Sequence, residues 1–149
     1  EDEFEARFAA TARHYEYRLL TRRAPPVIER DHVWHVPKPL DADVMDQAAG
    51  LILGTHDFTT FRSSECQAKS PLRTLDRFSV RSELDHVVIT ASARSFLHHQ
   101  VRNMVGTLKR VGEGKWCAGD LARILDARDR AAAGPTAPAC GLYLTEVLY

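Results

Sequence analysis

The sequence predicts an α+β fold, a mostly antiparallel sheet with helices packed on one face. Three observations point there. Apolar and polar residues alternate with period two in several separate stretches, the mark of half-buried strands. Two of these stretches flank Glu83-Leu84-Asp85, a turn that makes them antiparallel partners. The intervening segments carry the 3.6-residue spacing of amphipathic helices, giving the order β–α–β–β–α–α–β, with two strand pairs and separated helices.

Residues 6–20 read as the first strand. Tyr15, Tyr17 and Leu19 share one side with Arg13, and His14, Glu16 and Arg18 take the other, so the first side is expected to be buried. Pro25 and Pro26 stop the strand, because consecutive prolines cannot feed a ladder. Residues 27–36 read as a short irregular strand closed by Pro37 and Pro39. Asp41 is a good N-cap, with Asp43 in the first turn, for a helix running to about Leu53 before Gly54. Leu40, Val44, Ala48 and Leu51 would line its inner face. Asp57 can cap a short turn over residues 57–62. A polar loop, 63–70, leads through Pro71 into a strand over 72–81, whose partner is 86–93.

The period then changes. Leu97, Val101, Met104, Val105, Leu108 and Val111 fall on one apolar arc of a helix. His98, Arg102 and Lys109 run along one border of that arc, held by a packed element yet able to reach a groove. An arginine in such a place usually only lays its stem on the core and its head in water. Residues 120–130 form a shorter helix with Leu121, Ile124 and Leu125 inward. Gly134, Pro135 and Pro138 mark 131–139 as a loop, and 140–149 alternate as a last strand.

At 149 residues and 44% hydrophobic, the chain reads as one domain, 1–149, with a real core. It contains no apolar run of membrane-spanning length, so no membrane partner is expected. The acidic start (Glu1, Asp2, Glu3, Glu5) is unlike a signal peptide. It leads almost directly into a strand, as in a piece of something longer. Cys66, Cys117 and Cys140 are odd in number and far apart, which argues against a disulfide framework or zinc ribbon and fits a cytoplasmic protein. Charge balances overall but not locally. Residues 60–115 carry ten Lys/Arg against five Asp/Glu, and residues 29–57 two against six. Such a protein can bind a polyanion if its cations share a face.

No metal site is expected. His32 and His35 sit in an extended context that sends their rings to opposite faces, and His98 and His99 would diverge on a helix. No nucleophile elbow or phosphate-cradling glycine loop is present. What remains is a set of aromatics (Tyr15, Tyr17, Phe61, Phe78, Tyr143) interleaved with arginines (Arg13, Arg18, Arg62, Arg73, Arg77). Rings for bases and guanidinium forks for phosphates are what recognition of single-stranded or flipped bases uses. An aromatic core with solvated arginines is the more common arrangement for any one such pair.

Four motifs in order carry a family resemblance: Arg13-His14-Tyr15-Glu16-Tyr17, residues 57–62 (Asp-Phe-Thr-Thr-Phe-Arg), residues 96–106 (Phe-Leu-His-His-Gln-Val-Arg-Asn-Met-Val-Gly) and Gly141-Leu142-Tyr143-Leu144. Together they resemble the C-terminal half of the tRNA pseudouridine synthase A family, whose members isomerise uridines in the anticodon arm. The likeness runs from Phe4 to Tyr149 and implies a pseudouridine synthase-like C-terminal subdomain. It further implies that Tyr15 lies against the flipped uracil, that Arg102 ion-pairs with the catalytic aspartate, and that Leu142 closes the base pocket. Arg13, Arg62, Arg73 and His98 are candidates for contacting tRNA. A homodimer without metal or cofactor is also implied.

The chain departs from the family in one central respect. The nucleophilic aspartate belongs to a Gly-Arg-Thr-Asp-type motif of the N-terminal half, and none of the eleven aspartates here lies in one. This chain is therefore expected to hold part of an active site and to be inactive alone. His14 and Glu16 stand where relatives often carry arginine, and Gln100 where they often carry methionine. Two other readings stand beside the enzyme: a stand-alone RNA-binding or dimerisation module, and a small metal-dependent hydrolase using His98 and His99.

Overall fold

A computed structural model describes residues 9–149. The expected strand over 6–20 is observed as β1 (Ala12–Leu20), and residues 6–8 of it, like Phe4, lie outside the described residues. Along one edge, β1 pairs antiparallel with β5 (His86–Ala93), which pairs with β4 (Leu72–Glu83), which pairs with β3 (Gly54–Asp57). Two strands share the other edge of β1. The last strand, β6 (Leu142–Leu148), runs antiparallel to residues 12–17, and the two-residue β2 (Trp34–His35) runs parallel to Leu19 and Leu20. The result is a six-stranded mixed sheet, antiparallel except at β2.

The predicted parity of β1 decides which face carries the helices. Tyr17 and Leu19 are fully buried and join Leu75, Phe78, Val80, Ile89 and Ala91 in the core. On the opposite face Glu16 accepts from Arg18 Nη2 at 2.7 Å and lies 3.7 Å from Arg81 Nη2. Burial pushes the Tyr17 phenol well above its usual range, and its hydroxyl donates to the Pro138 carbonyl at 2.5 Å. The group stays neutral and serves as a tie between β1 and the loop before β6.

Three helices cover the inner face among the described residues. In α1 (Ala42–Gly50) Asp41 caps as predicted, its Oδ1 accepting from the Val44 N–H at 3.2 Å. The helix ends sooner than expected, and Met45, Ala48, Ala49 and Ile52 face inward while Leu51 is 53% exposed. This second arc repeats at i, i+3, i+4 and i+7 and the predicted one at i, i+4, i+8 and i+11, both helical spacings, so spacing alone does not separate them. The strand β3 takes up the residues after Gly54, whose φ of 99° suits glycine and turns the chain back along β4.

The central helix, α2 (Gln100–Gly112), begins later than its hydrophobic arc suggests. His99 has φ 60° and ψ 14°, a left-handed conformation that cannot propagate a helix. His98 is therefore not on the helical border with Arg102; both histidines sit in the turn before it. Instead of diverging, their rings stack at 3.9 Å between centroids. Leu97 is buried in that turn, its N–H donating to Gln100 Oε1 at 2.9 Å. The shorter helix, α3 (Ala118–Ala127), buries Leu121, Ile124 and Leu125 as expected and stops at Arg128, which has φ 51°.

The proline-rich loop after α3 presses on α2 at one point where only glycine fits. An ideal Cβ on Gly106 would stand 1.7 Å from the Pro135 carbonyl oxygen, and one on Gly134 would stand 2.8 Å from the Gly106 oxygen. Backbone meets backbone there.

Candidate functional site

A cleft of about 930 Å³ opens where β1 and β6 meet the turn ahead of α2. Its floor comes from Tyr15, Leu142 and Phe96, one wall from residues 66–69 of the polar loop, and the other from His98 to Arg102. Tyr15 is two residues along β1 from buried Tyr17, on the same side, and is itself half-buried. Its ring meets Phe96 edge-on at 5.4 Å and 79°. Leu142 opens β6 in register with Tyr17, which sets it beside Tyr15. A flat apolar floor of this kind offers a π-face and an aliphatic face to a base.

Arg102 lies in the first turn of α2 and is anchored at two of its nitrogens. Nε donates to the Ala137 carbonyl at 2.8 Å, and Nη1 reaches His99 Nε2 at 3.2 Å. A guanidinium only donates, so His99 Nε2 must be the acceptor and its imidazole neutral in this geometry. Burial, then the neighbouring His98, then the Arg102 charge hold His99 below the ordinary imidazole range, with Glu65 opposing them. The proton that would break the contact is thus disfavoured near neutral pH. In an NMR titration, His99 should show a midpoint below that of a solvated histidine, and Arg102→Met should move it upward. An unchanged midpoint would mean that the two side chains do not share this contact in solution. A depressed histidine pKa favours folding above the unfolded value of about 6.5, and that contribution is lost as pH falls through the folded midpoint.

Arg13, Lys69, Arg73 and Arg102 line the cleft, and no Asp or Glu does so among the described residues. Nη1 of Arg13 donates to the Arg94 carbonyl at 2.5 Å. Arg73 donates through Nη1 to the carbonyls of Leu72 and Ser70, at 2.7 and 2.9 Å. Five of the expected positions, Arg13, Tyr15, Arg73, His98 and Leu142, meet around Arg102. Arg62 does not line the cleft. Its Nη2 donates to the carbonyls of Ala68 and Cys66, folding the loop that forms the wall. Burial pushes the Cys66 thiol in that loop up, but backbone hydrogen bonds from Ala68 and His98 and the Arg62 charge together bring it below the usual thiol range.

Three participants leave little sign of themselves in the sequence. Phe96 lies inside a family-like motif, but its part in the floor depends on the contact with Tyr15. Residues 66–69 read as featureless loop. His99 reads from spacing only as a candidate metal ligand. Among the described residues, no three His, Cys, Asp or Glu side chains gather as a metal site would require. Asp57, the one aspartate inside a family-like motif, lies away from the cleft and accepts from the Thr59 N–H and hydroxyl at 2.9 and 2.6 Å. No helix among the described residues is long and apolar enough to cross a membrane.

Comparison with known proteins gives consistent matches. A family model described as tRNA pseudouridine synthase matches residues 48–149. A tRNA pseudouridine synthase A from Mesorhizobium japonicum is 60% identical over 148 residues, covering 99% of this chain and 60% of the relative. One from Paramagnetospirillum magneticum is 57% identical over 149 residues, covering 100% and 58%. One from Acidiphilium cryptum is 62% identical over 143 residues, covering 96% and 56%. The chain thus spans about 60% of the length of the curated relatives it matches.

Proposed function

The chain belongs to the tRNA pseudouridine synthase family, and on that premise we propose that it supplies the base pocket and part of the RNA-binding surface of an enzyme that converts uridine to pseudouridine in the anticodon arm of tRNA. The observation that carries this reading is the cleft itself, an apolar floor of Tyr15, Phe96 and Leu142 with Arg102 anchored beside it and cations around the mouth.

The isomerisation breaks the bond from N1 of uracil to C1′ of ribose, turns the freed base, and joins C5 to C1′. N1 gains a proton and C5 loses one, so no redox partner enters the balance. The uridine must first leave the stack, and the Tyr15 ring offsets part of the lost stacking. Leu142 closes the far side and limits the freed base to rotation in place. Arg102 presents Nη2, which makes no hydrogen bond among the described residues, toward a carboxylate that must stay ionised. A guanidinium beside a carboxylate lowers its pKa and fixes its direction. In this reading the carboxylate is an aspartate from residues outside this chain, and the working protein is a homodimer with tRNA touching both subunits. Arg13, Lys69, Arg73 and His98 meet phosphates, while Arg62 acts indirectly by shaping the wall.

The longer protein that contains this chain should form pseudouridine in an anticodon stem-loop, and the 149 residues alone should not. Turnover by the 149 residues alone would overturn the division of the active site. Binding without turnover by the longer protein would favour a non-catalytic RNA-binding module. Arg73→Ala should weaken tRNA binding and reduce the salt slope of log K by about one. An unchanged slope would remove Arg73 from the phosphate contacts.

A further inference from the structure

Arg102 is held by a segment with little means of holding itself. Residues 134–138 contain Pro135 and Pro138, which lack N–H donors and cannot enter a ladder. Yet Ala137 fixes Arg102 twice: its carbonyl accepts from Nε at 2.8 Å, and its N–H donates to the Arg102 carbonyl at 3.1 Å. Whatever places Ala137 places the guanidinium.

That placement traces to four side chains outside the cleft, those of Arg130, Asn103, Thr136 and Thr107. Arg130 donates through Nη1 to the Gly134 carbonyl at 2.8 Å, and through Nη2 to Asn103 Oδ1 and Thr136 Oγ1 at 3.0 Å each. The Thr136 hydroxyl donates to the same Asn103 Oδ1 at 2.6 Å. Asn103 is 1% exposed and donates through Nδ2 to the Phe61 carbonyl at 2.8 Å. The Gly134 N–H donates to Thr107 Oγ1 at 2.9 Å, and the Gly106–Gly134 contact closes the gap beneath. Three neutral acceptors therefore hold Arg130, and the fork geometry joins Gly134 and Thr136, on either side of Pro135, to Asn103 of α2.

We propose that Arg130, Asn103 and Thr136 are positioning residues for Arg102, setting the rate of the chemical step without touching the RNA. This rests on the catalytic reading of Arg102 given above. Tightly packed α2 supplies the fixed side of the clamp, and the loop carries Ala137 to its place. A guanidinium displaced by about 1 Å no longer meets a carboxylate in line, and a misplacement of that size can lower a rate by about 10²-fold.

The test uses the full-length protein with Thr136→Val, Thr136→Ser, Arg130→Met and Arg130→Lys. Thr136→Val and Arg130→Met should lower kcat by about 10- to 100-fold with KM for tRNA within about twofold, while Thr136→Ser, which keeps the hydroxyl, should return kcat to within about threefold of the parent. Arg130→Lys should stay impaired, because an ammonium cannot span three acceptors as the fork does. Hydrogen exchange at residues 134–138 should quicken in every impaired variant. Quickened exchange with unchanged kcat would overturn the proposal, as would equal loss in Thr136→Val and Thr136→Ser, or kcat and KM changing together. One readout needs no turnover. The His99 titration midpoint should rise in Thr136→Val as Arg102 withdraws, and a fixed midpoint would overturn the clamp. If the unsubstituted protein forms no pseudouridine while that midpoint still moves, the catalytic reading fails and the positional coupling stands.

Discussion

Arg102→Ala should abolish pseudouridine formation by the longer protein, by about 10³-fold or more in kcat, while tRNA affinity stays within about threefold. The separation follows from where the guanidinium points. Its Nε and Nη1 are committed to Ala137 and His99, and the cations proposed to meet phosphate are Arg13, Lys69, Arg73 and His98, not Arg102. On the proposed reading, losing Arg102 removes the partner of the nucleophilic carboxylate and leaves Arg13, Lys69 and Arg73 of the cleft in place. Arg102→Lys should rescue little. A lysine has no planar fork to hold both the Ala137 carbonyl and a carboxylate oxygen in fixed directions. Single-turnover kinetics beside a filter-binding isotherm would measure both quantities. Equal losses of rate and affinity would show that Arg102 contacts the RNA backbone.

The second large effect is on stability, and its sign opposes helix propensity. Glycine within a helix usually costs about 1 kcal/mol against alanine, so Gly→Ala there normally helps. At Gly106 the new methyl would meet the Pro135 oxygen at 1.7 Å, a backbone atom that cannot rotate aside. The loop must retreat and give up the Ala137–Arg102 pair and the Gly134–Thr107 bond. Gly106→Ala should cost about 3 kcal/mol net, from overpacking and lost hydrogen bonds. Thermal unfolding should then fall by about 6–12 °C. Gly119→Ala is the control. No atom lies within 4 Å of where its methyl would stand, and Gly119 sits in α3, so that variant should melt no lower than the parent. Equal melting of the two variants would show that the loop yields freely.

What the sequence disclosed follows from the range of each interaction. The β4–β5 hairpin and the inner side of β1 were legible because alternation and a turn are local signals. The apolar arc of α2 was legible for the same reason, although its first turn was not. Leu97 keeps helical spacing while lying in a turn, and the left-handed His99 that separates it from the helix leaves no mark on periodicity. β3 was missed because Gly54, Thr55, His56 and Asp57 form a partly exposed edge with no apolar alternation. Tyr15, Arg102 and Leu142 came from resemblance, and the cleft brings all three together. The Arg130 clamp was beyond local reading. It joins Asn103 to residues 27 and 33 positions away, and no period connects them. Arg62 shows the converse. It reads as a surface cation, and its commitment to the Ala68 and Cys66 carbonyls depends on how a loop happens to close.

The shared edge of β1 has a consequence for the order in which this protein is made. Thr11 meets Leu148 across 137 positions of chain, and the register continues to Tyr17 and Leu142. A ribosome building the protein delivers β1 before α1, α2 and α3, and β6 only after them. Until then that edge has unpaired amides, and the floor of the cleft has Tyr15 without Leu142. Pairings of such sequence separation are slow to form and leave strand edges exposed to other chains in the meantime. A nascent chain arrested before residue 142 would therefore already carry its arginine but have no closed pocket in which to use it.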